Sequence, residues 1–311
     1  MTTQIWTNVR SESLEMQTTL TVVTPEGDTE NPVAWPSAEP GLLVLLHGLT
    51  GNSAQWPVRA DLQPVADRFN LVIVMPEGQR SFWINQSFGL RYGDWVGTEL
   101  PDLMRRTLRI SRSRDDTLVG GLSMGGYGAF RAAFDHPEVY SAAFSLSGCL
   151  DVAEEGWCER HQELYLGGFG NSEHPRPEDD LIARLQEMPV VRNNQRPHGA
   201  GTDAHAGQIN QMQPPNNAGP ARTGADPIPP TGTPSNGTGA DTPSSSTQGL
   251  SRTKLFASCG TEDALLDQSR LFAEAAGAAG VELEYQEGAG DHDFVFWSHW
   301  LPIALDHLIP R

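Results

Sequence analysis

The chain has 311 residues, enough to bury a full core, and one domain of about 250 residues carrying an insertion suits that length better than two small domains. Its formal net charge of −18, from 39 acidic and 21 basic residues, argues against nucleic acid or an anionic membrane surface as a partner. The three cysteines lack scaffold spacing, the first residues lack the basic start and apolar run of a secretory signal, and no stretch is long enough to span a bilayer, so the expectation is a cytoplasmic protein without a membrane partner.

In chain order, residues 13–23 alternate apolar and polar side chains, as an antiparallel edge strand with one wet face should. Residues 41–46 and 70–75 are continuous apolar runs, expected of central parallel strands covered on both faces, with a helix over 60–68 between them. The alternation continues through a helix over 99–109, a strand over 117–120, a helix over 125–134 and strands over 140–146 and 254–258. A helix over 266–279, a strand over 281–286 and a helix over 294–309 complete it. This succession predicts the α/β class, with a mostly parallel, doubly wound sheet and an antiparallel strand at its N-terminal edge. Residues 193–249 break the pattern: Ile209, Met212 and Ile228 are their only Ile, Leu, Val, Met or aromatic residues. Such a stretch cannot offset its ordering entropy by burial, so it reads as a disordered insertion within a single domain spanning 1–311.

The sharpest chemical signal is Gly121-Leu-Ser123-Met-Gly125, a G-x-S-x-G nucleophile elbow. A β-branched apolar run precedes it, and small residues suited to close helix packing follow it. Glycines flank such a serine because the turn from strand into helix leaves no room for neighbouring Cβ atoms. A serine hydroxyl is a weak nucleophile, so it needs an imidazole to take its proton, a carboxylate to orient the imidazole, and N–H donors for the oxyanion. When the chain order is nucleophile, acid, histidine, the acid follows a late strand and the histidine precedes the last helix. Asp263 follows the strand at 254–258, and His292 stands just ahead of the last helix. Six of the nine histidines precede Asp263 and two more fall inside the last helix, while Glu262, Asp267 and Asp291 remain rivals for the acid. The stretch His47-Gly-Leu49-Thr-Gly51 after the first central strand nominates the backbone amides of Leu49 and Met124 as oxyanion donors, with His47 shaping the turn.

The aromatic residues Phe82, Trp83, Phe88, Tyr92 and Trp95 cluster after the second central strand. They could wall an acyl or aromatic pocket, with Trp83 and Phe88 the candidates, or belong to the core. No H-E-x-x-H, paired C-x-x-C or G-x-x-x-x-G-K-[ST] pattern points to a metal or nucleotide site.

Leu46-His-Gly-Leu-Thr-Gly-Asn52, Gly120-Gly-Leu-Ser-Met-Gly-Gly-Tyr-Gly-Ala129, Cys259-Gly-Thr-Glu-Asp263 and Ala289-Gly-Asp-His-Asp-Phe-Val-Phe-Trp297 together resemble the esterase D-type esterases. Within that family of α/β-hydrolases the likeness is to bacterial tributyrin or acetyl esterases, with S-formylglutathione hydrolases, feruloyl esterases and mycolyltransferases as relatives. It covers residues 10–192 and 251–310. The resemblance implies an α/β-hydrolase fold and hydrolysis of short-acyl or aryl esters through an acyl-enzyme, without a cofactor. The implied partner is a small-molecule ester, and self-association stays open. An acyltransferase or an S-formylglutathione-type thioesterase on the same triad is the alternative. Leu122 stands where the formylglutathione enzymes usually have histidine, which weakens the thioester reading.

Overall fold

The computed structural model describes residues 3–27, 32–171, 173–188 and 252–309. The insertion expected at 193–249 lies outside the described residues. The sheet opens with β1 (Thr3–Ser11) and β2 (Met16–Val23), joined by a turn in which Glu15 takes a left-handed backbone, φ 51°. It continues with β3 (Gly41–Leu46), β4 (Leu71–Pro76), β5 (Thr117–Leu122), β6 (Ala142–Leu146), β7 (Lys254–Gly260) and β8 (Leu283–Gly288). The spatial order is β1-β2-β4-β3-β5-β6-β7-β8. The pairs β1–β2 and β2–β4 are antiparallel, and every later pair is parallel.

Continuous apolar runs sit at the centre because their period-2 geometry sends hydrophobic side chains to both faces. From β3, Leu42, Val44 and Leu46 enter one core, and Leu43 and Leu45 enter the other. The helices are α1 (Gln55–Arg59), α2 (Gln63–Phe69), α3 (Tyr92–Asp94), α4 (Leu100–Thr107) and α5 (Met124–Asp135). After them come α6 (Glu155–Arg160), α7 (Gln162–Phe169), α8 (Leu181–Glu187), α9 (Leu266–Ala279) and α10 (Phe294–Leu308). Side chains of α4, α5, α8 and α9, including Met104, Phe130, Leu185 and Phe272, fill the first core. Those of α1, α2 and α10, including Trp56, Phe69 and Leu301, fill the second. This is the three-layer arrangement the alternating pattern predicts. No helix among the described residues is long and apolar enough to cross a membrane.

Several boundaries differ from expectation for local reasons. Residues 16–23 are not an edge: β2 is paired on both sides and β1 forms the outer strand. The helix expected over 60–68 is α2, which starts only at Gln63, carries a proline in its first turn and ends at Asn70 with φ 47°, and the short α1 ahead of it was not expected. The helix expected over 99–109 is the end of a longer helical run that starts at Tyr92 and passes through a π-helical turn, Trp95–Glu99. There the Leu100 amide donates to the Trp95 carbonyl five residues back, and Pro101 has no amide to offer the next carbonyl. The helices α6, α7 and α8 were not foreseen.

Candidate active site

The elbow's glycines are required by the backbone around them. A Cβ at Gly125 would stand 2.5 Å from the Leu46 carbonyl oxygen, and one at Gly121 would stand 2.6 Å from the Gly125 carbonyl carbon and oxygen. Between them Ser123 is held at φ 53°, ψ −121°, a conformation a side chain rarely adopts. Neighbouring strand ends hold it there: the Ser123 amide donates to the Leu146 carbonyl at 3.0 Å, and the Cys149 amide donates to the Ser123 carbonyl at 3.2 Å.

The acid and histidine loops are tied together. The Glu262 amide donates to the Gly290 carbonyl at 3.0 Å, the Gly290 amide to Glu262 Oε2 at 2.7 Å, and the Thr261 amide to the Gly288 carbonyl at 2.8 Å. The structure brings three predicted side chains into line. His292 Nδ1 lies 2.9 Å from Asp263 Oδ2, and His292 Nε2 lies 3.0 Å from Ser123 Oγ. A carboxylate can only accept, so Nδ1 carries the proton and the neutral ring leaves Nε2 as the acceptor for the serine hydroxyl.

Asp263 has a fully buried side chain and also accepts the Leu265 amide at 2.8 Å through Oδ1. Burial alone would raise its pKa. The hydrogen bonds it accepts from His292 and from the Leu265 amide are the chief opposing causes, and the carboxyl is held below the ordinary carboxylate value. The rival carboxylates have other partners or open surroundings. Glu262 accepts from Gly290, Asp291 accepts the His292 amide, and Asp267 is exposed in the first turn of α9.

The loop after β3 is braced from behind. His47 Nδ1 donates to the Gly48 carbonyl at 2.8 Å, which leaves Nε2 to accept the Gly78 amide at 3.0 Å. The Gly48 amide donates to Gln55 Oε1 at 3.2 Å. A Cβ on Gly48 would fall 2.7 Å from a Leu122 methyl and 3.4 Å from Ser123 Cβ, so the loop presses against the elbow. Neither the Leu49 nor the Met124 amide donates to another group among the described residues. Met124 opens α5, where amides have no partner within the helix.

Ser123 and His292 open into a cleft of about 580 Å³ whose walls include Leu49, Gln55, Arg59, Trp157, Phe294 and Trp297. Trp297 meets the His292 ring edge-on, with centroids 4.9 Å apart and planes at 90°. The two expected pocket aromatics do not line this cleft. Trp83 is buried, its Nε1 donating to the His47 carbonyl at 3.2 Å and its ring packing edge-on against His47. Its place is behind the β3 loop, where left-handed backbone at Phe82 and Trp83, φ 53° and 59°, turns it inward. Phe88 is 75 % exposed on the outer surface. Sequence reasoning missed the actual aromatic wall, although Phe294 and Trp297 follow His292 at helical spacing.

All three cysteines are buried without disulfides, and burial pushes each thiol up, Cys259 to about 11, so none offers a ready thiolate. Among the described residues no three His, Cys, Asp or Glu side chains are grouped as metal ligands would be.

A mostly parallel eight-stranded sheet with antiparallel strands at one edge and a strained serine elbow is the α/β-hydrolase fold, and the protein is a serine hydrolase of carboxylic esters. The family model described as "Putative esterase" matches residues 11–212, more than half of the chain, and the chain belongs to that family. It is 23% identical to the acetyl esterase of Caldicellulosiruptor saccharolyticus over 302 residues, covering 96% of this chain and 95% of that one. Among solved structures it resembles a fluorophosphonate-binding serine hydrolase of Staphylococcus aureus, with TM-score 0.65, 19% identity and 99% of both chains covered. It also resembles an S-formylglutathione hydrolase from Agrobacterium tumefaciens, with TM-score 0.65, 18% identity and 98% and 93% of the two chains covered.

Proposed function

We propose that the protein hydrolyses short-chain acyl esters, acetyl to butyryl, or aryl esters through an acyl-enzyme on Ser123. The observation that carries this reading is the continuous hydrogen-bonded line from Ser123 Oγ through His292 to Asp263, at 3.0 and 2.9 Å. Ser123 Oγ attacks the ester carbonyl while His292 Nε2 takes its proton, and Asp263 stabilises the imidazolium that forms. The oxyanion is met by the Leu49 and Met124 amides, which have no competing acceptor among the described residues. Collapse expels the alcohol, which leaves with the proton from His292. Water then attacks the acyl-serine, His292 again takes and returns a proton, and the carboxylic acid is released as Ser123 is restored.

The acetyl esterase relative supports the short acyl group. The cleft supports it too, because its aromatic wall stands beside the nucleophile. Purified protein assayed on 4-nitrophenyl esters of graded chain length, with Ser123→Ala as control and a fluorophosphonate label as a second readout, tests the proposal. Turnover and labelling should both vanish in the variant. Turnover that persists in a pure Ser123→Ala sample would remove Ser123 from the mechanism.

A further inference from the structure

Among the described residues that line the cleft, Arg59 is the only arginine or lysine. It closes α1, is exposed, and its guanidinium lies 5.8 Å from the centroid of the Phe294 ring. That contact holds a long side chain against the cleft wall two residues beyond His292.

Among the described residues Arg59 forms no ion pair, whereas Arg68, Arg91, Arg131 and Arg270 each hold a carboxylate. The neighbouring carboxylates each accept a hydrogen bond from another group. In the cleft, Asp263 holds His292, and Asp293 accepts the Phe296 amide at 3.0 Å. In the shallow hollow on the other side of Arg59, Asp61 accepts the Gln63 amide and Asp67 accepts the Glu26 amide.

Arg106, Arg112, Arg160 and Arg252 likewise show no ion pair among the described residues, but of these unpaired arginines Arg59 alone is among the described lining of the cleft. A guanidinium offers five N–H donors in a planar fork, has no acceptor and stays charged, so a carboxylate is its natural complement. A single cation with Asp293 nearby is also better matched to a monoanion than to a phosphate dianion.

We propose that Arg59 is an anion subsite of the cleft and that the esters this enzyme prefers carry a free carboxylate. The inference rests on the esterase reading above and narrows its substrate class. The remaining field of the protein, at net charge −18, repels anions, so without this arginine a carboxylate-bearing ester would be disfavoured relative to its neutral counterpart.

The experiment compares kcat/KM within matched pairs: 4-acetoxybenzoate against its methyl ester, with the charge on the alcohol side, and mono-4-nitrophenyl adipate against its methyl ester, with the charge on the acyl side. In at least one pair the wild type should favour the anion. Arg59→Gln should lower the anion-to-neutral ratio of that pair about fivefold, the scale of one solvent-accessible charge contact, and Arg59→Glu should lower it further. Taking the ratio cancels any general effect of the substitution on turnover. Rising salt should erode the wild-type ratio and leave that of Arg59→Gln nearly flat. If the neutral esters turn over through Ser123 but neither ratio responds to Arg59, the subsite is wrong and the esterase reading stands. If no ester turns over, both fail together.

Discussion

Gly260 and Gly290 face each other so closely that a Cβ on Gly260 would lie 2.3 Å from the Gly290 carbonyl oxygen. The first ends β7 and leads to Asp263, and the second leads to His292. The 2.9 Å contact between acid and imidazole therefore depends on two loops that only glycine lets approach.

Gly260→Ala should consequently push these loops apart. We expect a loss of stability of about 1–3 kcal/mol from overpacking, with kcat falling about tenfold or more because the imidazole is displaced. Gly277→Ala is the control: a Cβ there, in α9, meets nothing within 4 Å and should stabilise by about 0.5–1 kcal/mol. Thermal melts and steady-state kinetics on both variants check the pair. Full activity in Gly260→Ala would show that the loops have slack.

Ser123→Ala and His292→Ala should each lower kcat by about 10⁴-fold or more while leaving the melting temperature close to wild type. The two side chains act as a unit, so the double variant should be little worse than either single one. Multiplying losses would argue that His292 does not serve Ser123.

Asp263 gives a pH signature of stability. Its carboxyl is held below the ordinary value of 3.8, so the native state favours the ionised form more than the unfolded chain does. The stabilisation is complete above about pH 5 and is lost as the pH falls through 3.8 and then through the lower native value. Asp263→Asn has no such carboxyl, so the difference in unfolding free energy between wild type and variant should change in wild type's disfavour across that window. Denaturant titrations at a series of pH values check it, and a constant difference would contradict the assignment.

Acyl preference should peak between acetyl and butyryl. A deep apolar pocket would return about 0.8 kcal/mol for each buried methylene and make rates climb with chain length. The kcat/KM series on 4-nitrophenyl esters should instead decline toward octanoate. A steady rise through octanoate would place the enzyme with long-chain hydrolases. Trp297→Ala, which removes an aromatic wall beside His292, should flatten the decline.

Much of the geometry of the candidate site was legible because its motifs are local in sequence. Ser123 announces itself through glycines whose necessity the Leu46 and Gly125 contacts explain, and Asp263 and His292 sit at strand exits that hydrophobic patterning locates. The cleft walls were not legible in the same way. That Trp83 is large and apolar is plain, but the left-handed turns at Phe82 and Trp83 that swing it behind His47 have no counterpart in any periodicity. Trp157 was missed because it lies on α6, a six-residue helix too short to show a repeat. Strand β1 was missed for a related reason: its side chains are mostly exposed, and pairing with β2 rather than burial holds it.

The register between β6 and β7 has a consequence for how the active site is divided along the polypeptide. Ser123 and the β3 loop precede Met188, whereas Asp263 and His292 follow Arg252, and the two halves of the sheet meet where Ala142 to Leu146 pair with Lys254 to Ser258. A chain severed between Met188 and Arg252 would thus yield one fragment bearing Ser123 and another bearing Asp263 and His292, the nucleophile and its base in the proposed mechanism. Ester turnover would return only when those two strands found each other, which makes the molecule a natural framework for a split reporter of fragment reassembly.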